Sequence, residues 1–136
     1  MLNLLRSLYM EQISNRATIG VGANEDPYKN IEKARALLSQ THTLLKSSYF
    51  EETLPIGPIQ NQPNFINGAW LIETRMDLDQ LNLHLKSIEE LLGRDRTKPK
   101  DGPRPIDLDI IAWNGVIIDE NYYIRPFLQR MLETLH

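Results

Sequence analysis

The stretch from Arg94 to Trp113 reads RDRTKPKDGPRPIDLDIIAW and changes character halfway along. Its first half carries five Lys or Arg residues against two Asp residues, and prolines at 99, 103 and 105 exclude a regular helix there. We therefore expect these cations to lie on a loop. From Ile106 onward apolar residues occupy every second position, which predicts a β-strand with Asp107 and Asp109 on the same face.

The two carboxylates of this strand are expected to lie about 7 Å apart along the chain. Mg²⁺ in proteins is commonly held by one or two carboxylates together with phosphate oxygens, and Arg side chains clamp phosphate charge. A solvated loop or a surface acid pair is the simpler interpretation of either half alone. Together the halves favour a metal-bound polyphosphate, because an acid pair beside an apolar strand face is costly without a cation.

Composition limits the class of protein. The 136 residues suit a single domain, 1–136, and the 41% hydrophobic and 24% charged fractions are typical of soluble globular proteins. The net charge of −3 argues against a nucleic-acid partner, and the absence of cysteine excludes disulfides and thiolate chemistry. The sequence shows neither a signal peptide nor a membrane span, so we expect a cytoplasmic protein without a membrane partner.

Hydrophobic periodicity outlines the fold. It predicts strands at 17–22, 41–52, 64–74 and 106–113, with a hairpin partner at 116–118, and helices at 27–40, 77–92 and 126–135. A loop rich in proline separates the second and third strands at 53–63. This order predicts an α+β, ferredoxin-like domain, in which an antiparallel sheet carries helices packed on one face.

Local signals mark the helix boundaries. Asp26 before Pro27 suggests an N-cap, and Asp77 with Gln80 forms a capping-box pattern. Gly93 is a natural stop for the second helix. For residues 1–16, which precede the first strand, the spacing of apolar residues predicts a short amphipathic helix at 2–13. The apolar sides of this helix and of the one at 126–135 could seal a homodimer interface.

Two further positions suggest ligand contacts. Phe65 and Asn67 are neighbours on one face of a strand, where the ring could stack on a flat heterocycle while the amide binds its edge. A core aromatic residue beside a structural Asn is an equally good interpretation of the spacing. Glu89 lies one helical turn before the basic loop. Glu89 could contact a ligand, but on spacing alone a solvated helix residue is the better interpretation.

The segment Lys100-Asp-Gly-Pro-Arg104-Pro-Ile-Asp107-Leu-Asp109-Ile-Ile111 resembles the motif of the 6-hydroxymethyl-7,8-dihydropterin pyrophosphokinase family, which acts in folate biosynthesis. Thr18–Asn24 and Pro55–Asn67 resemble the first strand and the pterin-side loop and strand of the same family. The resemblance covers roughly residues 17–118. It implies a transfer of pyrophosphate from MgATP to the pterin hydroxymethyl group, with release of AMP.

The resemblance also implies roles for individual residues. Asp107 and Asp109 would bind two Mg²⁺ ions, and the catalytic set would be Arg94, Arg96, Arg104, Asp107 and Asp109. ATP would contact Glu89, Arg96, Lys100, Arg104 and Ile110. Pterin would contact Thr53, Leu54, Ile56, Phe65 and Asn67. The partners would be small molecules.

The chain departs from the family pattern in two places. Asp101 stands where the family often has a loop Trp. The region after the hairpin, where the family has a Pro-His and then an Arg-x-Phe segment, looks shortened and reads Tyr123-Ile-Arg125-Pro-Phe127. We therefore expect reduced activity, with the missing wall supplied by Arg125, Phe127 or a second subunit. The alternative hypothesis is a diverged, weakly active or inactive member that binds a pterin or nucleotide, or serves as a partner subunit.

Overall fold

The computed structural model of the protein describes residues 13–135. In sequence order they form β1 (Asn15–Ala23), α1 (Pro27–Ser39), β2 (Thr43–Ser47), β3 (Glu51–Thr53), β4 (Phe65–Thr74), α2 (Leu78–Leu91), β5 (Asp107–Trp113), β6 (Val116–Ile117), α3 (Asn121–Ile124) and α4 (Pro126–Glu133). The helix predicted at 2–13 lies outside the described residues except for Ile13.

The strands form one antiparallel sheet in the order β2-β4-β1-β5-β6, and β3 pairs with the other end of β4. β1 is the central strand because it pairs with β4 on one side and β5 on the other. The predicted α+β, ferredoxin-like fold is confirmed. Within the described part of the chain, no helix is long and apolar enough to cross a membrane.

The two faces of the sheet carry different helices. α1 and α2 cover the main core, where Ile19, Trp70 and Leu108 are at most 1% exposed. On the opposite face α4 packs through Met131, and Leu135 packs there just after the helix ends. The expectation that the helices share one face therefore holds for α1 and α2 but not for α4. α4 covers only part of this face of the sheet, and the rest of the face remains open.

The position of α4 also corrects the dimer hypothesis. Its apolar residues Leu128, Met131 and Leu132, together with Leu135 after its end, are buried against the sheet of their own chain. These residues are not available to seal an interface with a second subunit, so the prediction is wrong for this helix.

Most of the predicted boundary signals are present. Asp77 and Gln80 form the reciprocal hydrogen bonds of a capping box. Gly93 has a φ of 104° after α2, and Asn114 and Gly115 have positive φ in the β5–β6 hairpin. The prediction that Asp26 caps the helix with its side chain is wrong. Asp26 adopts a φ of 41°, and its side chain makes no capping bond, so Pro27 alone marks the start of α1.

The strand predicted at 41–52 is divided into β2 and β3. Between them Ser48 uses its hydroxyl to accept a hydrogen bond from the Ala69 amide at 2.8 Å. Next to it, the Phe50 ring lies across Gly68, where an added Cβ would come within 2.5 Å of the ring. A side chain that crosses the strand in this way interrupts regular pairing, and alternation alone could not reveal it.

A buried histidine makes the fold sensitive to acid. His42 contacts Thr74 Oγ1 at 2.9 Å through Nδ1 and His84 Nδ1 at 2.8 Å through Nε2. Burial, and then the neighbouring His84, lower the pKa of His42 from 6.5 to about 4. An unfolded chain therefore takes up this proton at higher pH than the folded protein does.

We predict that the free energy of unfolding decreases by about 2–3 kcal/mol as pH falls from 6.5 toward 4, through this residue. The contribution of neutral His42 is complete above pH 6.5. Urea unfolding of the wild type and of His42→Gln across this range measures the effect, because the difference between the two proteins isolates His42. If the free energies of unfolding of the two proteins change in parallel with pH, His42 is not the cause of the acid sensitivity.

Candidate active site

The floor of the open cavity is built from two glycines of β1. Gly22 pairs with Asn67 on one side and Asp107 on the other, and Gly20 pairs with Asp109. A Cβ on Gly22 would lie 2.5 Å from Asn67 Oδ1. Because these glycines have no side chains, the centre of the sheet face forms a hollow between β4 and β5. The cavity over this hollow has a volume of about 490 Å³.

Asp107 and Asp109 project from β5 into the cavity, as predicted. Their side chains are 36% and 45% exposed. Burial and then the charge of Asp107 raise the pKa of Asp109 to about 6, although Lys86 opposes the shift. Burial and then Glu89 raise the pKa of Asp107, against the effect of Arg104, Lys86 and Arg94. The pair therefore favours an added positive charge.

Cations from the basic loop face this pair. Arg94 Nη1 and Arg104 Nη1 lie 3.9 and 3.6 Å from Asp107 Oδ1, and their side chains are only 14% and 12% exposed. The backbone of Arg104 is fixed to the end of β1, because its amide donates to Asn24 Oδ1 and its carbonyl accepts from the Asn24 amide. Arg96 and Lys100 also line the cavity. The loop is thus held in place by backbone contacts.

The side chains of Glu89 and Ile110 do not line the cavity. Glu89 is fully buried, and its carboxylate accepts hydrogen bonds from the Leu108 amide at 2.7 Å and from Arg96 at 3.1 Å. It acts on the site through these neighbours. Ile110 points to the helix-covered core, because alternation along β5 places it on the face opposite the aspartates. A contact between its side chain and a nucleoside is not supported.

All five residues predicted to bind pterin line the other end of the cavity: Thr53, Leu54, Ile56, Phe65 and Asn67. Asn67 Nδ2 donates to Thr53 Oγ1 at 2.6 Å, which fixes the orientation of the amide. Leu54 and Ile56 are 72% and 51% exposed. The cavity therefore has an apolar end beside an amide and a charged end beside two carboxylates.

The two loops above the cavity are joined. Gln62 Nε2 donates to the carbonyl oxygens of Ile59 and Asp101, each at 2.7 Å. Asn24 Nδ2 donates to Gln62 Oε1 at 2.8 Å, which connects the same side chain to the end of β1. The apolar loop and the basic loop are thus positioned relative to each other and to the sheet.

The C-terminal part of the chain supplies another wall. Arg125 and Phe127, from the segment that looked shortened, line the cavity together with Leu128. Arg130 of α4 forms a 2.6 Å ion pair with Glu51 of β3, which ties this wall to the sheet. The expectation that the chain itself could provide Arg125 and Phe127 agrees with this arrangement.

Three polar residues of the cavity were missed by the sequence analysis: Lys86, Asp119 and Asn121. Lys86 lies one helical turn before Glu89, and this i, i+3 spacing to an acid was the available signal. Asp119 and Asn121 follow the hairpin. Only the folding of that segment over the sheet brings them to the site.

The donor set suits a hard divalent cation that is shared with a ligand. The aspartates supply carboxylate oxygens, which such cations prefer. Among residues 13–135, no group of three or more His, Asp or Glu side chains could hold a metal ion by itself. Mg²⁺ at this position would therefore take its other ligands from phosphate oxygens and water.

Comparison with known proteins gives one consistent result. Residues 18–136 match the family described as 7,8-dihydro-6-hydroxymethylpterin-pyrophosphokinase. The chain is 34% identical over 127 residues to a 2-amino-4-hydroxy-6-hydroxymethyldihydropteridine pyrophosphokinase of Helicobacter pylori, covering 88% of this chain and 77% of that one. The protein of the same name in Bacillus subtilis is 36% identical over 126 residues, covering 90% and 74%. The resemblance drawn from the sequence is confirmed.

The raised pKa of Asp109 leads to a stability prediction. A carboxyl with a raised pKa stabilises the fold only while protonated, so this contribution is lost as pH rises from 3.8 through about 6. In metal-free protein at pH 7.5, Asp109→Asn should raise the free energy of unfolding by about 1 kcal/mol, a value discounted for the exposure of the side chain.

The measurement is urea unfolding in the presence of a chelator. Glu73→Gln removes a carboxylate at the far end of β4 and should stay within about 0.5 kcal/mol of the wild type. If Asp109→Asn destabilises the metal-free protein, the carboxylate is already well compensated, and the prediction fails.

Proposed function

Because the chain belongs to the 7,8-dihydro-6-hydroxymethylpterin-pyrophosphokinase family, we propose that the cavity over β1, β4 and β5 is its active site. The protein is an enzyme of folate synthesis that transfers pyrophosphate from ATP to 6-hydroxymethyl-7,8-dihydropterin. One observation supports the location above all others. The paired aspartates with their arginines and the pair of Phe65 and Asn67 open onto the same cavity.

The apolar end of the cavity is the proposed pterin site. Phe65 offers a ring face for stacking, with Leu54 and Ile56 beside it. The Asn67 amide can both donate to and accept from the edge of a heterocycle. Because Thr53 already holds this amide, little side-chain freedom is lost when the ring binds.

The charged end is the proposed polyphosphate site. Arg94 and Arg104 are largely buried at the cavity wall, and Arg96 and Lys100 stand nearer the solvent. Guanidinium groups in fixed positions suit the oxygens of a phosphate chain. When a polyphosphate enters, these groups can exchange carboxylate oxygens for phosphate oxygens without moving far.

Asp107 and Asp109 are the proposed ligands of Mg²⁺, and two ions bound between them and the nucleotide would agree with the family resemblance. When bound, Mg²⁺ offsets the charge of the phosphates during transfer. Burial, and then a neighbouring carboxylate, raise the pKa values of both aspartates, which supports this role because a bound cation would offset the cost of ionising them there.

The reaction requires positioning more than covalent chemistry by the protein. The hydroxymethyl oxygen of the pterin forms a bond to the β-phosphorus of ATP and loses its proton. The bond from this phosphorus to the oxygen bridging it to the α-phosphorus breaks, and that oxygen leaves with AMP. The two ends of the cavity hold the reacting groups next to each other, which lowers the entropic cost of their encounter.

Arg125 and Phe127 are the proposed second wall. Phe127 provides an apolar surface and Arg125 a further cation, so the site has walls on the α4 side as well as on the loop side. A site completed within one chain favours catalysis over the alternative of a binding protein without activity. Six of the 15 Lys and Arg residues line this cavity in a chain of net charge −3, and this local cluster supports small-molecule substrates rather than nucleic acid.

The pterin assignment predicts a selective loss of affinity. Replacing Asn67 by Leu should weaken pterin binding by about 1–3 kcal/mol, because polar groups on the heterocycle edge would lose their partner. Calorimetric titration with 6-hydroxymethyl-7,8-dihydropterin and a non-hydrolysable ATP analogue measures this change. Asn64→Leu is the matched control, since Asn64 contacts Glu52 and does not line the cavity. Equal losses in both variants would contradict the assignment.

The metal assignment predicts a loss of turnover. With MgATP and 6-hydroxymethyl-7,8-dihydropterin, the wild type should release AMP, and Asp109→Asn should release it roughly 100-fold more slowly or worse. Asp79→Asn is the control, because Asp79 belongs to another Asp-Leu-Asp sequence that opens α2 away from the cavity. AMP production that needs no pterin, or an unchanged rate in Asp109→Asn, would contradict the proposal.

A further inference from the structure

Lys86 occupies a position that the proposed catalytic roles do not explain. Its Nζ lies 3.4 Å from Asp109 Oδ1, 3.3 Å from the Leu108 carbonyl oxygen and 3.4 Å from Glu89 Oε2. The ammonium group thus contacts three oxygens at the outer edge of β5. Its side chain is 33% exposed and also lines the cavity.

The three oxygens have different freedom to move. The Leu108 carbonyl belongs to the backbone of β5, and the Glu89 carboxylate is fully buried and accepts a hydrogen bond from the Leu108 amide. Asp109 is the most exposed of the three partners, with a side chain that is 45% accessible. Lys86 can therefore release Asp109 and remain attached to the strand edge through the other two oxygens.

Each aspartate of the pair has its own cation. Asp107 faces Arg94 and Arg104 across the cavity, whereas among residues 13–135 the cation in contact with Asp109 is Lys86. A divalent ion that approaches Asp109 must displace or oppose the Lys86 ammonium group. Like charges within about 4–6 Å oppose each other strongly in a partly buried site.

We propose that Lys86 is a resident counter-ion of Asp109 that keeps the affinity of the empty site for divalent cations low. It is a positioning residue, which acts on the metal through Asp109. When a polyphosphate enters, its oxygens add metal ligands and negative charge, so that the metal can compete for Asp109. The metal is then taken up together with the nucleotide. This inference rests on the proposed metal site at Asp107 and Asp109.

The test is a titration of nucleotide-free protein with Mn²⁺ as a spectroscopic substitute for Mg²⁺, following the free ion by electron paramagnetic resonance. Lys86→Met keeps the aliphatic part of the side chain and removes the charge. It should bind Mn²⁺ about tenfold more tightly than the wild type, the smallest effect expected from a charge at this distance. With a non-hydrolysable ATP analogue present, the difference should shrink to less than about threefold, because phosphate oxygens then contribute ligands.

Two controls separate charge from structure. Lys86→Arg keeps the charge and should retain the weak metal binding of the wild type. Lys33→Met removes an exposed lysine from α1 and should also leave it unchanged. Circular dichroism spectra establish that each variant is folded. If Lys86→Met binds Mn²⁺ no more tightly than the wild type, or if Lys86→Arg changes the affinity as Lys86→Met does, the counter-ion role is overturned.

The same titration distinguishes this inference from the proposed metal site. Asp109→Asn combined with Lys86→Met should lose the tighter binding. If the wild type binds no Mn²⁺ even with the ATP analogue, the metal site itself is wrong, and the inference falls with it. If metal binds with the analogue and depends on Asp109, but Lys86→Met behaves like the wild type without nucleotide, only the inference is overturned.

Discussion

The geometry of the site depends on one buried carboxylate, that of Glu89. A buried ionised carboxyl group is very unfavourable unless charged partners and hydrogen bonds compensate it. Here the Leu108 amide, Arg96 and Lys86 all contact it. The backbone carbonyl of Glu89 also accepts a hydrogen bond from the Arg94 amide at 2.9 Å. Glu89 thereby fixes the end of α2, the outer edge of β5 and the start of the basic loop relative to one another.

Apolar and acidic residues alternate along β5, so one face of the strand contributes to the core and the other to the site. On one side of the strand Ile106, Leu108 and Ile110 pack into the main core, and on the other Asp107 and Asp109 face the cavity. Burial and neighbouring carboxylates thus raise the pKa values of the two aspartates on a strand whose other face is well packed. β1 extends the same division, because its apolar positions fill the core while Gly20 and Gly22 leave room on the opposite side for the side chains of Ile111 and Asn67 and for the cavity.

Local patterns in the sequence predicted most of the strands, three helices (α1, α2 and α4) and the placement of the aspartates, because each depends on residues a few positions apart. Such local patterns could not predict contacts between elements that are far apart in the sequence. Lys86 meets Asp109 only because α2 lies along β5, and Phe50 divides a predicted strand only because it crosses Gly68. Alternation along β5 places the Ile110 side chain in the core, and the contact between Ile110 and ATP that the resemblance implies stays a prediction.

The contact between the two loops shows why one departure from the family pattern is compatible with an intact site. Gln62 binds the backbone carbonyl of residue 101, so this contact does not depend on which side chain stands there. The Asp101 side chain instead lies against Gly57, which has a φ of 104° and where an added Cβ would come within 3.0 Å of Asp101 Cγ. Gly57 is therefore constrained both by its backbone conformation and by the space that Asp101 occupies. The two loops are thus joined by one contact that is independent of the side chain at position 101 and by another that depends on it.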